Sequence, residues 1–355
     1  MKTILKIIFA ALIAVTIGAP IAGFFEVSPL AISGILFGSA FIPTGLSAAL
    51  GMAVQVEIWE KDIEEALFKD NTFIDDAYNA DTYVIQGKIV HIPQSGGPSN
   101  VVKNRPTLPA TVRRRNDTDV LYSLDEFTTD PTLIPNADTV ELSYDKRDSV
   151  IGEDKANLSQ VVAEELLYSW ALDLPAGAII ATSGADKPAT AEGATGTRKA
   201  ASRDDLQKMR SFLVKQRKWR EGNMFALIPT DMLAQMFPAN DAITATYSQN
   251  LTEEERRNGV VYKAYGWKIK ERSTALRYAT DGTLKAPEAL GEATDNDAAL
   301  FWEKNSVERA KGEIVMFQKD GDPQYYGDIY SFLVRMGGRR RRADNSGVAV
   351  LRQAA

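Results

Sequence analysis

Apolar residues recur every fourth position from Leu158 through Val162, Leu166 and Trp170 to Leu174, and Val161, Ala163, Leu167 and Ala171 widen the stripe. That spacing stacks side chains on one face of an α-helix. It predicts a helix over Asp145–Asp173, about 44 Å long at 1.5 Å per residue, provided that Gly152 does not break it, and ended by Pro175. Ahead of this helix the pattern changes to alternation. Val120–Leu124 reads as a strand, an acidic turn-rich run follows over Asp125–Pro131, and Thr139–Tyr144 is a second short apolar segment. Tyr83–Pro93 also alternates, with Gly87 as a bend or bulge. Between them, Gln94–Asp119 is polar and broken by Pro98, Pro106 and Pro109. A loop of that length flanked by strand patterns is unusual in a compact domain, and it predicts a two-stranded arm projecting from the body.

Beyond Pro175 the stretch Ala176–Ala201 is rich in Ala, Gly and Thr and reads as a flexible surface loop. Its Gly193-Ala-Thr-Gly196 with Lys199 lacks the phosphate-loop spacing, because position 198 is Arg. Ser202 with Asp205 forms a capping box, opening a helix to about Arg220 that buries Leu206, Met209, Phe212 and Leu213. Met224–Ile228 is wholly apolar, as in the middle of a sheet, and a short helix follows over Met232–Phe237. Ala239–Gly259 reads as a polar loop whose run Glu253–Arg257 is a solvated charge cluster. Val260–Glu271 and Leu276–Ala279 are strand-like. Ala298–Ala310 is a strand or helix with Phe301 and Trp302 inward. Glu313–Phe317 and Asp328–Met336 alternate around the turn Lys319–Pro323, which lacks EF-hand ligand spacing. Val348–Arg352 is a last strand.

Residues 1–56 are a different material. Lys2, Lys6 and Glu26 are their only charged side chains, and apolar runs occupy Ile7–Phe25 and Val27–Val56. Taken alone this is the pattern of a signal peptide or membrane anchor, and the first run is nearly long enough to span a bilayer. The other reading is an apolar arm buried against neighbouring subunits. From Val56 to Phe68, Trp59, Ile63, Ala66 and Leu67 have the spacing of a short amphipathic helix.

Composition narrows the chemistry. The 355 residues carry a formal net charge of −6, so no global basic field holds nucleic acid. Cysteine is absent, which removes disulfides, thiolate nucleophiles and cysteine metal sites. The single histidine, His91, lies in the alternating segment and reads as a packed strand residue. Paired carboxylates such as Glu164 and Glu165 are the only handle for a catalytic reading, but neighbours on a helix point about 100° apart and do not converge. No catalytic, cofactor or metal site is expected.

The order of elements resembles the major capsid proteins of tailed bacteriophages, which have the Hong Kong 97-type (HK97-like) α+β capsid fold. The resemblance is carried by Gln55–Trp59, Asn71–Ile74, Lys88–Pro93, Asp125–Pro131, Thr139–Arg147, Gly321–Gly327 and Met336–Arg340, and it extends from Pro43 over nearly all of the remaining chain. None of these is a catalytic signature; specificity comes from their number and order. The resemblance implies an apolar N-terminal arm or leader at 1–56, an arm helix region at 57–80 and an extended β-hairpin loop at 81–130. It further implies a peripheral domain with its spine helix at 131–177, an axial domain at 178–277, and returning peripheral strands at 278–355.

A virion shell protein is therefore expected, a structural protein that self-assembles as hexamers and pentamers into an icosahedral head around packaged double-stranded DNA in the host cytoplasm. Its partners would be further copies of itself, a portal, scaffold or decoration proteins, and DNA without base specificity. Arg113, Arg114 and Arg115, near the arm tip, are expected to pair with acidic residues of an adjacent subunit. Arg339, Arg340, Arg341 and Arg342 are expected in a loop between the last strands, where adjacent cations require an anionic partner, either DNA or an acidic neighbour. The competing functions are a secreted or membrane-anchored surface protein, held by residues 1–25, and an encapsulin-like nanocompartment shell.

Overall fold

Ile63, Leu67 and residues 71–354 are described by the computed structural model, except 86–87, 95–99, 107, 110–111, 113–116, 136–145 and 240. The chain divides into two compact units, Met1–Lys61 and Asp62–Ala355, and all described residues belong to the second. The apolar segment 1–56, the Thr139–Tyr144 segment, Gly87 and Arg113–Arg115 lie outside the described residues. Of the Val56–Phe68 stretch, Ile63 and Leu67 are described. Both are helical and buried, one turn apart.

In chain order, β1 (Tyr78–Asn79) is followed by β2 (Val84–Ile85), β3 (Ile89–Gln94) and β4 (Thr118–Ser123). Next come β5 (Asp125–Thr128), β6 (Thr132–Pro135) and the long helix α1 (Lys146–Ala171), which runs through Gly152 without a break. Asp173 then takes the left-handed conformation, φ 55°, and ends the helix two residues before Pro175. The segment read as a single strand over Tyr83–Pro93 is a hairpin instead, with Val84 opposite Val90. β3 pairs antiparallel with β4 from Ile89–Ser123 to Gln94–Thr118. The polar stretch between Gln94 and Thr118 thus joins two paired strands, as the arm requires.

The stretch read as a flexible loop at 176–201 is ordered. It contains β7 (Ile179–Ala181), β8 (Asp186–Pro188) and β9 (Thr197–Lys199), and it buries Ala191, Arg198, Ala200 and Ala201. The reason is long-range bonding: Arg198 Nε donates to Asn296 Oδ1 at 2.7 Å, and Thr190 Oγ1 donates to Asp297 Oδ2 at 2.6 Å. The helix α2 (Arg203–Lys215) opens with the expected Ser202–Asp205 box but stops short of Arg220, because Arg217 adopts φ 56°. β10 (Met224–Pro229) and α3 (Thr230–Met236) follow as expected.

The polar stretch 239–259 is not a bare loop. It holds α4 (Ala242–Gln249) and α5 (Glu253–Arg257). Thr252 and Glu255 form a reciprocal capping box at 3.2 Å each, and Glu255 also meets Lys263 at 3.0 Å. The charge run is therefore held by specific partners as well as by water.

β11 (Val260–Ala264) and β12 (Trp267–Arg272) form a tight hairpin whose two turn residues, Tyr265 and Gly266, have φ of 52° and 86°. Positive φ at both centres matches the right-handed twist of the flanking strands. β13 (Leu276–Tyr278), β14 (Asn296–Glu303), β15 (Val307–Asp322), β16 (Gly327–Arg340) and β17 (Val348–Arg352) complete the chain.

These strands build two main sheets. One has the order β11-β12-β10-β14-β17-β7, with β13 also on β14, and it mixes parallel pairs (β10–β12, β17–β7) with antiparallel ones. β10 and β14 are buried at every position. Leu206, Met209 and Leu213 of α2 and Met232 and Met236 of α3 pack into the same core as Ala226, Ile228 and Phe301. The other sheet is built on the long β15–β16 hairpin, flanked by β1 on one side and by β5 and β6 on the other. Segment 278–355 contributes to both sheets: β14 and β17 join β10, while β15 and β16 join β1, β5 and β6.

Candidate inter-subunit surfaces

Where the two sheets meet α1, aromatic side chains fill the junction. Trp170 lies 5.7 Å from Trp302 and edge-on to Phe73 at 6.0 Å, and Trp302 stacks with Phe225 at 6.0 Å. Their indole nitrogens are satisfied by backbone: Trp170 donates to the Glu308 carbonyl and Trp302 to the Asp76 carbonyl, both at 3.0 Å. Gly338 makes this closeness available. A Cβ there would sit 2.6 Å from the Glu308 carbonyl oxygen and 2.9 Å from Trp170 Nε1. Around the aromatic centre, buried cations tie in the segment 71–81. Lys270 bonds the Thr72 carbonyl at 2.9 Å and pairs with Asp76, while Arg309 meets Asp81 at 3.1 Å. Burial pushes Asp76 up and Lys270 down, the signature of charges removed from water and compensated chiefly by one another.

The arm is attached much more lightly. Val90, Leu124, Ala80 and Ala310 make its small buried cluster, with Tyr78, Val84 and Tyr122 packed at the edge. Polar contacts also cross its base. The Tyr122 hydroxyl donates to Glu308 Oε1 at 3.1 Å, and Arg341 meets the same carboxylate at 3.0 Å while lying 3.7 Å over the Tyr78 ring. Burial raises Glu308, against the pull of Tyr122 and Arg341, and burial with the Glu308 charge pushes the Tyr122 hydroxyl up. Strand alternation explains why Tyr122 and Val90 face inward while their neighbours do not. Ile89, His91 and Leu121 stand on the outer face. The expectation that His91 is packed is corrected: it is a strand residue, but exposed, since alternation fixes a face without saying which face meets the core. Between β3 and β4, Val101, Leu108 and Val112 are each more than 80% exposed.

The arginine run is distributed rather than clustered. Arg339 and Arg340 belong to β16, not to a loop. Exposed Arg339 donates to the Leu121 carbonyl at 3.1 Å. Arg340 is buried and donates to the Trp170 carbonyl at 3.0 Å and to that of Leu172, groups left over at the end of α1. Arg341 has Glu308, and exposed Arg342 makes a two-pronged pair with Asp344 at 2.9–3.2 Å. The anionic partners that the sequence reading demanded from outside are thus partly supplied from within the chain. No sequence signal marked Glu308 or Tyr122, because both act through a pairing 186 positions apart.

Glu164 and Glu165 do not converge. Glu164 accepts from Gln160 at 2.7 Å and faces Arg272 at 3.5 Å, whereas Glu165 lines a depression against β5 and β16. Among the described residues no group of three or more His, Asp or Glu side chains is placed to hold a metal ion, and no helix is long and apolar enough to cross a membrane.

No family model matches the sequence, and no curated protein matches it. Solved structures do. The capsid of Ralstonia phage GP4 superposes with a TM-score of 0.55 at 12% identity, over 79% of this chain and 87% of that one. The capsid of cyanophage P-SCSP1u gives 0.54 at 18% identity, over 79% and 86%. A virus-like particle from Pyrococcus furiosus gives 0.50 at 10% identity, over 84% and 99%. The chain has the α+β capsid fold of these shells.

Proposed function

We propose that this chain is the major capsid protein of a tailed phage or prophage, a structural protein whose copies join as hexamers and pentamers into an icosahedral head around double-stranded DNA. The observation that carries this reading is the shared fold, extending over more than three quarters of the chain and most of each phage shell protein. Its physical counterpart is the lightly attached arm, which leaves apolar strand and tip residues in water that a single subunit does not cover. In this reading 81–130 is the extended loop, α1 the spine helix, and residues 1–56 an apolar arm buried by neighbouring copies. Assembly takes place in the host cytoplasm, with a portal and with scaffold or decoration proteins as further partners. Arg113–Arg115 serve contacts between subunits, and the exposed members of the last run, Arg339 and Arg342, meet packaged DNA or an acidic neighbour.

The test is the size of the native particle. Light scattering and negative-stain microscopy are expected to show closed shells of megadalton mass holding nuclease-resistant DNA. A chain that stays monomeric under all assembly conditions overturns the proposal. A virus-like particle from Pyrococcus furiosus shares the fold, and the second reading is an encapsulin-like shell that encloses protein rather than nucleic acid. Shells free of DNA but carrying a co-purifying enzyme decide for it.

A further inference from the structure

Where α1 meets β13 and the loops on either side of that strand, the chain leaves a cavity of about 110 Å³. A single water needs about 10–15 Å³ of such room, so the cavity takes a ligand of several non-hydrogen atoms. Tyr168, Leu276 and Pro287 give it apolar walls. Charged side chains line it too, and two of them are already paired. Lys285 meets Asp295 at 2.8 Å and Glu292 at 3.4 Å, and Glu164 accepts from Gln160 at 2.7 Å and faces Arg272 at 3.5 Å. Half-buried Arg277 is different. Its Nη2 donates to the carbonyl of Pro287 at 3.2 Å and to that of Ala289, while its Nη1 is buried without an acceptor. Asp297 stands opposite it on β14 but accepts from Thr190 at 2.6 Å instead. Among the described residues no carboxylate pairs with this guanidinium.

We propose that this cavity binds a small monocarboxylate, its oxygens on Arg277 and its carbon chain against Tyr168, Leu276 and Pro287. A guanidinium is flat and presents its N–H groups in pairs, so it matches the two oxygens of a carboxylate. Held partly out of water with backbone acceptors alone, it lacks the counter-charge that such a ligand supplies. Thr274 adds a hydroxyl to the same wall. The acids around the cavity set the charge of the ligand. Glu164 and exposed Glu192 oppose a second negative charge, so a monocarboxylate enters where doubly charged phosphate is repelled. A ligand seated here touches α1 and β13 at once and ties the long helix to the seven-stranded sheet. All of these residues belong to one chain, and the site requires no second copy.

Titration of the full-length protein with propionate at constant ionic strength tests the site, read by saturation-transfer NMR on the ligand's protons. Saturable binding is expected, with inorganic phosphate a poor competitor. Arg277→Gln is expected to weaken it more than about tenfold, since a charged hydrogen-bonding group is lost. Arg277 also holds two carbonyls, so a second variant separates binding from folding. Glu192 is exposed, and Glu192→Gln removes a like charge without disturbing the core. It is expected to tighten propionate about two- to fivefold, whereas a purely structural Arg277 leaves that affinity unmoved. A folded wild-type chain that shows no saturable binding overturns the proposal. So does phosphate competing as well as propionate, or a Glu192→Gln variant of unchanged affinity. Closed particles that do not bind propionate remove this inference and leave the capsid reading in place.

Discussion

In the seven-stranded sheet β10 and β14 are buried at every position, and Trp267, Trp302 and Phe301 are fully enclosed. In the arm, β3 and β4 bury Val90 and Ile92 while Ile89 and Leu121 remain about half exposed. Both regions use β-branched and aromatic residues, but the first covers both faces of its strands from within the chain and the second covers one. A region that completes its own core folds as a subunit; a region with one bare face leaves that face to water or, in the proposed shell, to a neighbour. The difference teaches where folding ends and assembly begins, and it is open to measurement.

The largest contrast is expected between Trp302→Ala and Leu121→Ala. Removing the enclosed indole, with its stacking on Phe225 and its bond to Asp76, is expected to cost about 3–5 kcal/mol in denaturant unfolding of the unassembled subunit. Leu121→Ala is expected to change that stability by less than about 0.5 kcal/mol yet to lower particle yield. Comparable losses of subunit stability from the two variants would erase the distinction.

Gly338 sharpens the boundary, because it lies where arm, helix and sheet meet. Gly338→Ala would place a methyl group 2.6 Å from the Glu308 carbonyl and 2.9 Å from Trp170 Nε1. Overpacking of this kind costs about 1–3 kcal/mol. Hydrogen exchange is expected to rise at the base of the arm before it rises in β10 or β14, and equal acceleration in both would contradict a lightly attached arm.

The two regions also answer differently to acid. Asp205, beneath the seven-stranded sheet, is opposed by burial but held below its usual range by hydrogen bonds from Ser183, Lys208 and Ser202. Its contribution is present above the unfolded carboxylate value of about 3.9 and is lost as pH falls through the lower folded value. Glu308, at the arm base, is raised by burial, so its charged form costs stability above its unfolded value and protonation relieves that cost. Asp205→Asn is expected to cost about 1–3 kcal/mol near neutrality and to flatten the acid limb of a stability–pH curve. Glu308→Gln is expected to leave that limb in place. A limb unchanged in Asp205→Asn would assign acid sensitivity elsewhere.

The periodic parts of the fold were legible in the sequence. Four-residue spacing located α1 to within two residues at either end, and unbroken apolar runs located β10. What periodicity cannot report is a partner distant in sequence. Segment 176–201 has no period, and its order comes from β7 pairing with β17 and from Arg198 reaching Asn296. His91 was placed on a strand correctly but on the wrong side of it. Of the candidate surfaces, the arm was visible as two alternating segments around a polar stretch. The Tyr122–Glu308–Arg341 link was not visible, since nothing in the neighbourhood of any one of these residues announces the other two.

The smallest predicted effects concern Arg339–Arg342, and they test whether adjacency in sequence means a shared role. Arg340 is buried on the last carbonyls of α1, so Arg340→Ala leaves those acceptors without their donor and is expected to cost about 2–3 kcal/mol in the subunit. Arg342 is nearly half exposed, and its pair with Asp344 spans only two positions in a surface turn. Water screens such a pair, so Arg342→Ala is expected to change subunit stability by no more than about 0.5 kcal/mol. Arg339, also exposed, gives up one bond to the Leu121 carbonyl and behaves likewise. If these two exposed cations meet packaged DNA, Arg339→Ala with Arg342→Ala weakens the salt dependence of DNA retention, because fewer phosphate contacts release fewer counterions. Measured as DNA lost from particles across a salt series, an unchanged slope assigns the run to the subunit's own structure and removes DNA from its role.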